Sequence, residues 1–173
     1  MSFVLDASVA LAWCFDDEGG EYPTHALQAL RTTDAMVASH WTLEVANGLL
    51  AAERRGRIGA AEVARVGSLL LSLPIAVDPV ERSRGLTVIH RLARTRGLST
   101  YDAAYLELAM RMGMPIATLD GDLRRAAAEE GVALFSRSES SLGGAEGGSR
   151  ASDTGGSLEG EALSLDGHPD HIM

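Results

Sequence analysis

The sequence predicts an α/β protein: a parallel-sheet α/β/α sandwich of about five short strands flanked by helices. Three observations carry this expectation. Short apolar runs alternate with segments of helical periodicity as far as about residue 136. The runs are apolar throughout, as in strands of a sheet covered on both faces. Acidic residues stand where an apolar run ends and a helix begins, as in FVLDAS at 3–8 and ATLDGDL at 117–123. In open parallel sheets, ligands bind beyond the carboxyl ends of the strands, so Asp6 and Asp120 are expected to share a place.

The elements follow in order along the chain. FVL (3–5) is a strand candidate, and ASVALAW after it a helix. A helix around 24–32 precedes a second strand, AMVA at 35–38. In HWTLEVANGLLAAERRG, apolar residues at 41, 43, 45, 46, 49, 50 and 52 predict a helix that ends near Gly56. Another helix covers about 60–72, and PIAV (74–77) is the third strand. Helices at about 79–96 and 100–112 are divided by Gly97. PIAT (115–118) is strand four, 121–130 a short helix, and ALF (133–135) a fifth strand.

From residue 139 the composition turns Gly/Ser-rich and acidic, with no aromatic residue and no periodic apolar face. Such a segment buries too little surface to offset its ordering entropy. The expected division is a folded domain over 1–138 and a disordered tail over 139–173. His168 and His171 lie near Asp166 and Asp170, but without a rigid scaffold a solvated extension explains them better than a metal site.

The net charge of −9 is unevenly spread. Residues 1–138 carry 14 basic against 17 acidic side chains, and 139–173 carry 1 against 7. Every basic residue is arginine. The single cysteine, Cys14, excludes an internal disulfide and suits a reducing compartment. VALAWCF and LLLSLPIAV are far short of the roughly 20 apolar residues that span a bilayer. Asp6 arrives too early for a signal peptide, so a cytoplasmic protein is expected.

Four separated segments each bring a carboxylate to a strand end or helix start: Asp6, Glu44, Asp102 and Asp120, with Asp122 beside the last. Two carboxylates ~5 Å apart at an effective dielectric of ~20 repel by about 3 kcal/mol, so gathered acids call for a cation. Magnesium and manganese prefer such oxygen donors, and a site of this kind activates water and polarises a phosphodiester. Each acid has a plainer explanation as well. Asp6 and Asp120 suit N-caps, Asp102 completes an S-x-x-D capping box with Ser99, and Glu44 complements a helix dipole. Spacing alone does not show that they converge.

The chain resembles the PIN-domain family and, within it, the VapC-like toxins of type II toxin–antitoxin pairs. The resemblance runs through VLDASVALAW (4–13), LEVANGLL (43–50), LSTYDAAYLELA (98–109) and ATLDGDLRRAA (117–127), in that order. It implies a PIN-like sheet with Asp6, Glu44, Asp102 and Asp120 as catalytic, metal-site acids and Asp122 as an auxiliary metal ligand. Ser8, Asn47 and Thr118 match the small polar residues placed around the acids. Trp41 stands where relatives often have proline. The implied activity is Mg²⁺-dependent, possible with Mn²⁺, endoribonucleolytic hydrolysis by a metal-activated water, leaving a 5′-phosphate and a 3′-hydroxyl. The implied partners are an RNA substrate, a second copy in a homodimer, and a cognate antitoxin in a hetero-oligomer. The helices at 41–52 and 60–73 are candidate surfaces for either protein partner.

An acidic protein that handles RNA must collect its cations locally, because phosphate neutralisation dominates nucleic-acid affinity. Candidate clusters are Arg54, Arg55 and Arg57; Arg91, Arg94 and Arg96; and Arg124 with Arg125. Tyr101 is the aromatic nearest in sequence to an expected site acid, though core packing explains it equally well. His40 and His90 are read as helix-start or surface residues outside catalysis. Two competing functions are a Mg²⁺-dependent phosphohydrolase of small phosphate esters and a non-catalytic module that binds a partner's arginine. The first typically has D-x-D after its first strand, where this chain has Asp6-Ala7-Ser8.

Overall fold

The computed structural model describes residues 2–15 and 20–136. Strands β1 (Phe3–Leu5), β2 (Ala35–Ala38), β3 (Ile75–Asp78) and β4 (Ile116–Ala117) form a parallel sheet in the order β3-β2-β1-β4. Phe3 lies opposite Ala35, Val4 opposite Met36 and Ile116, and Leu5 opposite Ala117. Phe3, Val4 and Leu5 are all fully buried, as expected of a central strand covered on both faces. The chain steps outward from β1 through β2 to β3, then returns to place β4 on the other side of β1. The reversal point therefore lies between β1 and β4, where open parallel sheets leave a crevice at their carboxyl ends.

Helices α1 (Ala7–Ala12), α2 (Glu21–Ala29), α3 (Trp41–Arg54), α4 (Ala60–Ser72), α5 (Arg82–Arg84), α6 (His90–Arg96), α7 (Thr100–Met112) and α8 (Gly121–Glu129) flank this sheet. On α3 the buried residues are Trp41, Val45, Leu49 and Ala52, a stripe at helical spacing. Gly48 lets α3 approach α1 closely: a Cβ there would meet the Leu11 methyl carbons at 2.6 Å. Helix α7 is buried from Ala103 to Ala109, and so runs through the interior. Within that run, Glu107 is paired with Arg84 at 2.8 Å and Arg111 at 3.2 Å, while Arg111 also reaches Asp78 at 2.6 Å. Pairing of this kind offsets the cost of burying the Glu107 charge.

The structure adjusts three boundaries. Helix α2 starts at Glu21 rather than near 24, with Pro23 in its first turn, where the missing N–H leaves no bond unmade. The helix expected from 79 starts at Arg82, after an extended Glu81, and widens to a π-helical turn over Gly85–Ile89 between α5 and α6. The fifth strand expected at 133–135 is a single parallel bridge between Ile116 and Leu134. The Ile116 N–H donates to the Ala133 carbonyl at 2.9 Å, and the Phe135 N–H to that of Ile116 at 2.8 Å. Since β4 is only two residues long, it offers no further ladder to extend. The tail expected over 139–173 lies outside the described residues. Among those residues, no helix is long and apolar enough to cross a membrane.

Candidate functional site

Asp6 occupies the N-cap position of α1, yet its side chain does not cap that helix. Its Oδ2 instead accepts hydrogen bonds from Ser8 Oγ at 2.5 Å and Thr118 Oγ1 at 2.7 Å. Ser8 Oγ in turn accepts the Leu119 N–H, and Thr118 Oγ1 the Asp120 N–H, each at 3.0 Å. Two hydroxyls thus clamp the carboxylate across the reversal point between β1 and β4. Asp6 is 6% exposed. Burial pushes its carboxyl above the usual range, opposed by the Ser8 and Thr118 hydroxyls and reinforced by the charge of Asp102.

Glu44 lies in the first turn of α3. The hydroxyl of Tyr105, a side chain with no exposed surface, donates to Glu44 Oε2. Burial raises the Glu44 carboxyl, the Tyr105 hydroxyl lowers it, and the negative charges of Asp6 and Asp102 raise it again. The phenol itself is pushed up by burial and by Glu44, so Tyr105 stays a donor.

Asp102 lies in the first turn of α7. Ser99 Oγ accepts the Asp102 N–H at 3.0 Å and donates to Asp102 Oδ2 at 2.6 Å. Ser99 therefore caps the helix while holding the carboxylate by its hydroxyl. Electrostatically, Asp102 acts on both Asp6 and Glu44. The ends of β1, α3 and α7 accordingly bring three negative groups into mutual reach.

The remaining expected residues are placed differently. Asp120 caps α8, its Oδ1 accepting the Leu123 N–H at 2.7 Å, and its own N–H is tied to Thr118. Asp122 has a 75% exposed side chain that pairs with Arg125 at 3.1 Å. Asn47 is exposed on α3, three residues beyond Glu44. Among the arginines, Arg96 is paired with Glu129 and Glu130, whereas Arg54, Arg55, Arg91 and Arg94 are exposed. Arg124 is tied to the residue that binds Asp6: its Nε donates to the Thr118 carbonyl at 2.8 Å, and its guanidinium lies 5.0 Å from the Tyr22 ring centre.

Two residues of this site were not expected from sequence. His40, read as a helix-start residue, does hold the N-cap position of α3, but its ring also joins the acids. Its Nε2 is buried without a hydrogen-bond partner and lies 3.4 Å from Glu44 Oε2. Burial lowers its pKa, against the opposing pull of Asp102. The His40 ring meets Tyr105 edge-on at 4.9 Å and Tyr101 at 5.1 Å. Tyr101 is 58% exposed, which sets aside core packing as its explanation. Helical spacing held the missed signal: His40 is four residues before Glu44, and Tyr105 three after Asp102.

The donor chemistry of Asp6, Glu44 and Asp102 fits a hard divalent cation, because all are carboxylates and two of them are destabilised in their charged form. The hydroxyl donors described converge on one oxygen each of Asp6 and Glu44, leaving the second oxygen of each outside those contacts. Among the described residues, no three of His, Cys, Asp or Glu form a group that could hold a metal ion by themselves, as a ready-made enclosure would. Mg²⁺ does not require that enclosure, since it retains several waters and is commonly held by one or two carboxylates.

Comparison with known proteins agrees with this architecture. The family model for the PIN domain matches residues 3–129. Ribonuclease VapC3 from Pyrobaculum aerophilum is 32% identical over an alignment of 126 residues that covers 71% of this chain and 92% of that relative. The crystal structure of PAE2754 from the same organism matches with a TM-score of 0.56 at 24% identity, covering 73% of this chain and 84% of that one. VapBC2 from Rickettsia felis, bound to a DNA fragment from its promoter, matches with a TM-score of 0.55 at 11% identity, over 78% of this chain and 98% of that one. At these identities the solved structures speak for the fold.

Proposed function

Because the chain belongs to the PIN-domain family and is VapC-like within it, we propose that it is a Mg²⁺-dependent endoribonuclease, the toxin of a type II toxin–antitoxin pair. The observation that carries this reading is that Asp6, Glu44 and Asp102 lie within electrostatic reach at the carboxyl end of the sheet, Asp102 raising the Asp6 carboxyl and Asp6 and Asp102 together raising that of Glu44. The likeness to Ribonuclease VapC3 supports RNA as the substrate, and the likeness to VapBC2 supports an antitoxin as the partner. We propose further that the protein works in the cytoplasm as a homodimer and is held inactive in a toxin–antitoxin hetero-oligomer.

In this reading, Asp6, Glu44 and Asp102 hold Mg²⁺, with Mn²⁺ as a substitute, and Asp120 serves as a fourth metal-site acid with Asp122 as an auxiliary one, both at the start of α8. The cation would supply polarisation of the phosphodiester and activation of water. The chain's own residues do the positioning. Ser8 and Thr118 fix the direction of Asp6 through two short hydrogen bonds. Tyr105 fixes Glu44 from the protein interior, and Ser99 fixes Asp102 from the helix start. Arg124, anchored on the Thr118 carbonyl, supplies positive charge beside an otherwise acidic end and suits a flanking phosphate.

The test is expression of the chain without its antitoxin. Growth arrest accompanied by new RNA ends bearing 5′-phosphates, mapped by RNA-end sequencing, is the expected result. Normal growth at full expression, with an unchanged set of RNA ends, would refute the toxin reading.

A further inference from the structure

Each of three site acids is preceded in the chain by a large, exposed apolar or aromatic side chain. Leu43 before Glu44 is 74% exposed, Tyr101 before Asp102 is 58% exposed, and Leu119 before Asp120 is 41% exposed. Single exposed apolar side chains are ordinary on a protein surface, so exposure alone distinguishes none of the three. Tyr101 stands out among the three because it is built as well as exposed. Its ring packs against the His40 ring at 5.1 Å and a tilt of 52°, and His40 is held in turn by the edge of Tyr105 at 4.9 Å. Tyr105 is the residue that anchors Glu44. An aromatic chain therefore runs from the protein interior, past the acids, to an exposed ring beside Asp102.

From this geometry we infer that Tyr101, backed by His40, is a stacking platform for an unpaired base of the RNA next to the scissile phosphate. The inference rests on the ribonuclease reading and deepens it by assigning Tyr101 as a residue that positions the substrate beside the acids. A base has a flat face in need of a partner once it leaves its own stack, and exposed aromatic rings are the usual partner in single-strand recognition. A base inside a duplex has both faces covered by its stacked neighbours and is closed to Tyr101. The anchoring through His40 matters because a ring already held at one angle loses little freedom on binding. A protein side chain could also cover this ring, but the ring's continuity with the acids favours the substrate: a phosphodiester held there brings its own flanking base within reach.

The test uses the full chain, a single-stranded oligoribonucleotide carrying 2-aminopurine, and the same oligomer annealed to its complement. Wild type is expected to quench the single-strand fluorescence by stacking and to cut the single strand in preference to the duplex. Loss of one stacked base corresponds to a rise in KM of roughly 5- to 150-fold, so Tyr101→Ala is expected to raise KM by that factor, move kcat little and lose the quench. Tyr101→Trp, which keeps a ring face, should rescue KM and quench. Leu86→Ala removes a 79% exposed apolar side chain from the π-helical turn over Gly85–Ile89 and serves as a control expected to match wild type. If wild type cuts RNA and Tyr101→Ala keeps its KM and quench, the platform is wrong and the ribonuclease reading stands. If Tyr101→Trp fails to rescue, stacking is wrong as the mode of contact. If wild type cuts no RNA, the ribonuclease reading itself has failed, and the platform with it.

Discussion

Replacing Tyr105 by Phe removes one oxygen from the interior and nothing else. Tyr105 has no exposed surface, and its hydroxyl donates to Glu44 Oε2, a carboxylate already raised by burial and by Asp6 and Asp102. Phe fills the same space, so the cost is that of the hydrogen bond. With an ionised acceptor this is about 1.5–3 kcal/mol, and with a neutral one about 0.5–1.5 kcal/mol. For a folded unit of this size it corresponds to a fall in Tm of roughly 5–12 °C at neutral pH. The pH dependence follows from the sign of the shift. The Tyr105 hydroxyl lowers the Glu44 pKa, so Tyr105→Phe raises it further above its ordinary 4.5. A folded carboxyl pKa above the unfolded one means stability that is full below the unfolded value and is lost as pH rises through the folded value. The deficit of the variant should therefore widen as pH climbs from about 4.5 through the Glu44 titration, then level off. Urea denaturation of both proteins in EDTA, repeated from acid to neutral pH, measures this. A deficit below about 0.5 kcal/mol, or one that does not change with pH, would refute the Tyr105–Glu44 coupling.

Two further substitutions test neighbouring contacts. Asp102→Asn keeps the backbone N–H that Ser99 caps while removing a charge that destabilises Asp6 and Glu44. It should stabilise the metal-free protein by about 1–2 kcal/mol and lose most of the rise in Tm that Mg²⁺ gives wild type, both read from melting series with EDTA and with rising Mg²⁺. Thr118→Val removes a donor to Asp6 and the acceptor of the Asp120 N–H in a fully buried position. The expected cost is about 2–4 kcal/mol by urea denaturation, and a loss under 1 kcal/mol would show that these bonds do not hold the site.

Much of this fold was legible because parallel strands leave short apolar runs, and FVL, AMVA and PIAV mark three of them, the last at the partly exposed edge of the sheet. Where it was not legible, the cause is tertiary. ALF at 133–135 has the composition of a strand, but β4 beside it is too short to pair beyond one residue. The positions of the candidate acids were legible, since strand ends and helix starts locate backbones. Side-chain direction is another matter. Asp120 and Asp6 look alike in sequence, yet one caps its helix and the other turns away to meet Ser8 and Thr118. Tyr105 reads as a core residue and is one, but its hydroxyl is aimed at Glu44. His40 reads as a helix start and is one, with a ring that packs among the site's tyrosines. In each case the structural role is real and a second contact is added to it, which residue type alone does not reveal.

The central claim is that Asp6, Glu44 and Asp102 hold a divalent cation and cut RNA with it. The most direct measurement is cleavage of a labelled single-stranded RNA by wild type and Asp6→Asn, with Mg²⁺ and with excess EDTA. Asn keeps the size of Asp6 and can still accept from Ser8 and Thr118, so the fold should survive the change. The account predicts cleavage by wild type in Mg²⁺, none in EDTA, and a rate lower by on the order of 100-fold or more in Asp6→Asn. Cleavage that survives complete chelation, or an Asp6→Asn rate equal to wild type, would contradict it.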